Sequence, residues 1–121
     1  MIVHLIVDVY EPMYEHNDKK YIRFLLDERG VGVVRRAQLT KSHLLRYSRV
    51  EDPLDGSLLV VKVPYRYRRV MCEVVGGVPV QALERGSPVQ VSLEFCGAWN
   101  KEGYCGYSWK LKKLDTSKNN A

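Results

Sequence analysis

Asp18-Lys-Lys-Tyr-Ile-Arg-Phe-Leu-Leu-Asp27 alternates as a β-strand does. Successive side chains of a strand point to opposite faces, so Ile22, Phe24 and Leu26 share one side and Tyr21, Arg23 and Leu25 the other. The first side can enter a core. The second sets an aromatic ring beside a guanidinium, with Lys19 and Lys20 at its entrance. Rings interleaved with cations are how proteins stack bases while neutralising phosphates. The same pattern also suits an amphipathic strand whose outer tyrosine serves packing alone, because strands are enriched in aromatics.

Upstream, Val3, Leu5, Val7 and Val9 alternate with His4, Ile6, Asp8 and Tyr10, which predicts a strand with an apolar face. Glu11-Pro12 interrupts it, and Met13 to Asp18 reads as an exposed excursion, so the first two strands form a long hairpin. Downstream, Glu28-Arg29-Gly30-Val31-Gly32 supplies turn residues, and Val33-Val34-Arg35-Arg36 reads as a short third strand closing a meander. From Ala37 to Ser48 the period changes, and Thr40 is placed to cap a short helix whose Lys41, His43, Arg46 and Arg49 make a solvated basic face. After the acidic turn residues Glu51 to Gly56, the run Ser57-Leu-Leu-Val-Val-Lys-Val63 predicts a buried strand. It leads directly into Pro64-Tyr-Arg-Tyr-Arg-Arg69, the densest positive region of the chain. If extended, Tyr65, Tyr67 and Arg69 lie on one face and Arg66 and Arg68 on the other. That composition suits a stacking platform, and it also suits a charged sheet edge guarded against pairing.

The final third is more regular. Val70 to Val75 and Val78 to Leu83 read as a hairpin around Gly76-Gly77. Val89, Val91, Leu93 and Phe95 mark the inward face of another strand, Gly97 to Gly106 reads as a loop, and Tyr107 to Leu114 as a closing strand with Tyr107, Trp109 and Leu111 on one face. Trp109 therefore belongs to the core, whereas Trp99 is free to touch nucleic acid or a partner subunit. Five or more short strands with glycine-marked corners and at most one short helix predict an all-β fold. The expected form is a small five-stranded antiparallel barrel of the OB-fold type with an inserted hairpin. An antiparallel sandwich is the competing all-β arrangement. Residues 1–115 form one domain in this reading, and 116–121 a disordered tail.

A chain of 121 residues with 45% hydrophobic and 27% charged residues is long enough to bury one core without metals or disulfides. Nineteen Lys and Arg against fourteen Asp and Glu give a formal charge of +5, which favours polyanionic partners. Cys72, Cys96 and Cys105 are odd in number and lack a Cys-x-x-Cys pair, so they read as reduced thiols. The opening Met-Ile-Val-His-Leu-Ile-Val-Asp has no basic start or cleavage site of a secretory signal, and no apolar run reaches the ~20 residues of a membrane span. The expected location is the cytoplasm. His4, His16 and His43 share no metal-ligand spacing, and there is no glycine-rich phosphate cradle. The acidic residues Asp8, Asp27, Glu28, Glu51, Asp52 and Asp55 would need to converge in space to hold a divalent metal. The reading is therefore a non-enzymatic binder with no catalytic residue, metal or cofactor.

The chain resembles the single-stranded DNA-binding proteins of filamentous bacteriophages. The resemblance is carried by the early strand and excursion, by Lys19-Lys20-Tyr21 opening the second strand, by Gly86 to Phe95, by Tyr104-Cys105-Gly106 and by the basic closing strand Lys110-Leu-Lys-Lys-Leu114. It spans both ends and leaves out residues 30 to 82. It implies an OB-fold, a homodimer that coats single-stranded DNA cooperatively during replication, and DNA contacts at Tyr21 and Tyr104. Joined to the basic clusters, it gives a candidate nucleic-acid site of Lys19, Lys20, Tyr21, Arg23, Tyr65, Arg66, Tyr67, Arg68, Arg69 and Tyr104. An RNA-binding OB module would use the same surface, since discrimination rests on the 2′-hydroxyl. A protein-interaction module with the Tyr-Arg cluster as interface core is the other alternative.

Overall fold

The computed structural model describes residues 1–117, and within them the apolar alternation turns inward strand by strand. Strand β1 (Ile2–His16) buries Leu5, Val7 and Val9, and β2 (Lys19–Leu25) buries Ile22 and Phe24. Strand β5 (Leu58–Val63) buries Leu59, Val61 and Val63, while β9 (Pro88–Lys101) and β10 (Tyr104–Asp115) supply Val89, Val91, Leu93, Phe95, Tyr107, Trp109, Leu111 and Leu114. Each such side chain contributes roughly 1.5–3 kcal/mol when fully buried, so these faces decide the fold. They close on themselves. Antiparallel pairing joins β9 to β1, β1 to β2, β2 to β5 and β10 to β9, and a parallel contact between Lys62 and Lys110 seals β5 against β10. This is an OB-like five-stranded barrel, antiparallel everywhere except at that seam. Short strands add to it: β3 (Arg49–Glu51) and β8 (Glu73–Val75) lie parallel to β10, and β4 (Leu54–Asp55) pairs with β5.

Several local expectations are corrected. Met13 to Asp18 is no excursion, because β1 runs on to His16 and turns at Asn17-Asp18, both at positive φ (52° and 65°). Pro12 is tolerated because it falls in one of two register shifts between Val9 and Tyr14, where a ladder N–H is not needed. The supposed third strand Val33–Arg36 is helix. Helix α1 (Glu28–Leu39) starts where the Asp27 carboxylate accepts from the Gly30 N–H at 2.7 Å, and it buries Gly30, Val34, Ala37 and Gln38 at helical spacing. Gly30 marks a close approach and not a turn, since a Cβ there would lie 3.2 Å from Asp27 Oδ1 and 3.3 Å from the Leu26 side chain. Thr40, read as an N-terminal cap, instead ends this helix, its hydroxyl donating to the Ala37 carbonyl.

Three later segments also differ. Gly76-Gly77 does not turn a hairpin: β8 joins β10, and Val80–Ala82 is a single 3₁₀ turn. Residues 97–106 are not a loop, because β9 and β10 continue through them to a tight turn at Glu102-Gly103 with φ of 50° and 89°. Of the predicted tail, Thr116 is buried and its N–H donates to the Val75 carbonyl at 2.9 Å, while residues 118–121 lie outside the described residues.

Candidate nucleic-acid interface

The face of β2 that turns away from the core carries Lys19, Tyr21 and Arg23, as the alternation predicts. What β1 places beside it depends on the two bulges. Each extra residue flips the side-chain parity, and two flips restore it, so Glu11 faces Arg23 and Tyr14 faces Tyr21 across the ladder while Met13 still packs on the core. The Tyr14 and Tyr21 rings meet at 5.9 Å between centroids. Arg23 lies 5.3 Å from the Tyr10 ring centroid, and Arg85 lies 4.6 Å from that ring. Arg23 also reaches Glu11 at 3.4 Å. Burial holds the Tyr14 hydroxyl above its usual ionisation range, with nearby Glu11 adding to the effect, so it remains a neutral donor. Tyr10, Tyr14, Tyr21, Arg23 and Arg85 thus form a band of rings and guanidinium groups along β1 and β2.

On its other side β2 is flanked by β5, where Lys62 stands opposite Tyr21 and Val60 opposite Arg23. Lys19, Tyr21, Val60 and Lys62 floor a groove of about 680 Å³. Its far wall comes from the β9–β10 hairpin through Trp99, Lys101 and Ser108, and from the connection at Glu51–Pro53. Trp99 is fixed on that wall. Its Nε1 donates to the Tyr107 carbonyl at 3.3 Å, and its ring lies against Gly106, where any Cβ would collide with it. Asp52 is held in a relay: Trp109 Nε1 donates to Gln38 Oε1 at 3.1 Å, Gln38 Nε2 donates to Asp52 Oδ1 at 3.1 Å, and the Leu54 N–H donates to that same oxygen. One oxygen of this exposed carboxylate is thereby held by the scaffold, while the residue itself still lines the groove.

The predicted site residues fall into three groups. Lys19 and Tyr21 line the groove, with Arg23 in the adjoining aromatic band. Lys20 points off the other side of β2, hydrogen-bonded to Glu15 at 2.8 Å and 5.1 Å from the Tyr65 ring centroid. Tyr65 to Arg69 do not form the extended platform read from the sequence. They fold into a separate two-stranded hairpin, β6 (Tyr65–Arg66) and β7 (Arg69–Val70), turning at Tyr67-Arg68 with φ of 54° and 63°. Tyr104 sits at the tip of the β9–β10 hairpin, paired with Lys101, and its hydroxyl accepts from Arg49 Nη1 at 3.3 Å. Sequence reading left out Tyr10, Tyr14, Lys62, Arg85 and Lys101, and it offered Trp99 to nucleic acid or a partner subunit from a loop, where the structure has a strand. Carrying the β1 alternation past Pro12, and the register of Tyr21 onto the next strand, would have found Tyr10, Tyr14 and Lys62.

Cys105 is buried with its thiol 3.1 Å from the Tyr47 carbonyl, and burial raises the Cys72 thiol's pKa, away from reactivity. Among the described residues no three metal-ligating side chains converge, and no helix is long and apolar enough to cross a membrane. The fold and face together define an OB-like barrel with an aromatic and basic groove. Comparison with protein-family models, with curated proteins and with solved structures returns no match.

Proposed function

We propose that the protein binds single-stranded DNA, without sequence preference, along the outer face of β1, β2 and β5. The observation that carries this reading is a single groove lined by Tyr21 and Trp99 together with Lys19, Lys62 and Lys101, against two carboxylates, Glu51 and Asp52. Open rings give unpaired bases a surface to stack on whatever their identity, and flexible ammonium groups follow a backbone without fixing sequence. In OB-type barrels this same strand face and the two flanking hairpins receive oligonucleotides. Extending the resemblance to filamentous-phage proteins, the chain acts as a homodimer coating replicated single strands in the host cytoplasm.

The test is a titration of intrinsic fluorescence with oligothymidylate, oligouridylate and blunt duplex DNA at two ionic strengths. Single-stranded DNA is expected to bind tightest and to quench Trp99. Tyr21→Ala and Trp99→Ala should each lower that affinity by about tenfold, within the roughly 1–3 kcal/mol of one stacked base. Equal affinity for duplex, or undiminished binding by both variants, would refute the reading, and stronger binding of oligouridylate would assign the groove to RNA.

A further inference from the structure

We propose that the β6–β7 hairpin is a second site, distinct from the groove, which grips a phosphodiester backbone through Arg66, Arg68 and Arg69 without reading bases. For the identity of its ligand the proposal rests on the nucleic-acid reading; for its geometry it rests on the hairpin alone. The root of the hairpin is fixed: the Met71 N–H donates to the Pro64 carbonyl at 2.8 Å, Val70 packs on the core, and Lys20 leans on the Tyr65 ring. The rest projects. Tyr67 is 84% exposed, and Arg66, Arg68 and Arg69 are exposed as well.

Two features of this hairpin work against its own stability, and a bound anion would offset the first of them. Arg66 and Arg69 are direct cross-strand partners, an arrangement in which like charges repel. The turn then places Tyr67 and Arg68 at positive φ, where glycine, asparagine or aspartate would fit without steric cost. Lys20, Arg23, Lys110 and Lys113 each have a glutamate within 3.7 Å, while most other described cations stand without one, so what sets the hairpin apart is the crowding of such arginines and not their lack of a carboxylate. Among the described residues none of the three hairpin arginines has such a carboxylate. Three unpaired guanidinium groups within four residues form a field that a phosphate chain satisfies, because their planar forks match phosphate oxygens in pairs. None of the groove's rings belongs to this hairpin, whose own Tyr65 carries Lys20 and whose Tyr67 stands at the tip, so the guanidinium grip does not depend on unpaired bases.

Blunt duplex DNA is the probe, because it offers backbone and no free bases. Followed by anisotropy of an end label, it should bind the wild-type chain more weakly than single strands, and linear polyphosphate should displace it while polyglutamate does not. The variant Arg66→Gln/Arg68→Gln/Arg69→Gln should lose at least tenfold in duplex affinity and reduce the log–log salt slope by about 2–3, whereas Arg35→Gln, at an exposed arginine of α1 outside both sites, should leave the affinity unchanged. Circular dichroism establishes that the barrel is intact, and the single substitution Arg68→Glu at the tip provides a milder version with the same direction of effect. Undiminished duplex binding by the triple variant, or displacement by polyglutamate as effective as by polyphosphate, would overturn the proposal. If single-stranded binding proves indifferent to Tyr21 and Trp99 while duplex binding still needs the arginines, the groove reading fails and the hairpin site stands.

Discussion

Gly106 shows how one missing side chain sets the geometry of a wall. It lies inside β10, where glycine ordinarily weakens a strand, and two neighbours explain it: the Glu51 carbonyl on β3 and the Trp99 ring on β9 both occupy the place a Cβ would take. The indole can therefore lie flat against backbone with its Nε1 on the Tyr107 carbonyl, and β3 can pair beside it. Gly106→Ala is expected to destabilise the protein by roughly 1–3 kcal/mol, as overpacking does where the obstacle is backbone and ring. It should also shift the emission of Trp99. A melting temperature and emission spectrum indistinguishable from wild type would show that the approach is looser than the structure has it. In sequence, Tyr104-Cys105-Gly106 looks like loop chemistry, because nothing local records that a ring eight positions before Tyr107 crosses that glycine.

At the scale of elements, α1 is where reading and structure part most clearly, and its role explains why. Val33-Val34-Arg35-Arg36 has strand composition, and Gly30 and Gly32 look like punctuation. Only the Asp27 cap and the spacing of Gly30, Val34, Ala37 and Gln38 favour helix, and that helix gains its stability from packing on the barrel. Its buried end carries Gln38, 3% exposed, which joins Trp109 in the core to Asp52 at the groove. Gln38→Leu keeps the volume but strands the indole N–H and removes one of the two donors to Asp52 Oδ1, so it is expected to cost about 1–3 kcal/mol in urea denaturation. Gln38→Glu should recover part of this loss at acid pH, where a protonated carboxyl can donate to Asp52, and none near neutrality. A leucine variant as stable as wild type would show that the relay holds nothing. The strands whose partners are strictly alternating, β2, β5 and the inner half of β9, were legible from one sequence. The bulged, paired ends of β1, β9 and β10 were not, because a bulge or a primed turn such as Asn17-Asp18 interrupts the pattern that reveals a strand.

For the molecule as a whole, closure of five strands was foreseeable from the inward residues, but the seam between β5 and β10 was not, since parallel pairing leaves no short-range mark in sequence. The closed barrel also sets how the protein meets alkali. Burial raises the Tyr107 hydroxyl pKa, with Asp52 and Cys105 adding to it, and burial is likewise the main cause at Tyr14 and Cys72. Lys20 is raised as well, chiefly by its hydrogen bond to Glu15. All four shifts have one sign. Folded chains therefore keep protons that unfolded chains release, beginning near the ordinary thiol value of about 8.5 and continuing past the ordinary phenol and ammonium values of about 10. The stability these groups contribute is complete below that range and is lost as pH rises through their folded values. The urea midpoint should accordingly hold level from pH 7 to about 8 and fall steadily between about pH 9 and 11. Tyr107→Phe and Cys72→Ala, which remove two of the ionisations without adding charge, should flatten that fall when combined. An alkaline decline of equal steepness in the double variant would mean that the protons are lost elsewhere, and that the wall behind Trp99 is wetter than its burial indicates.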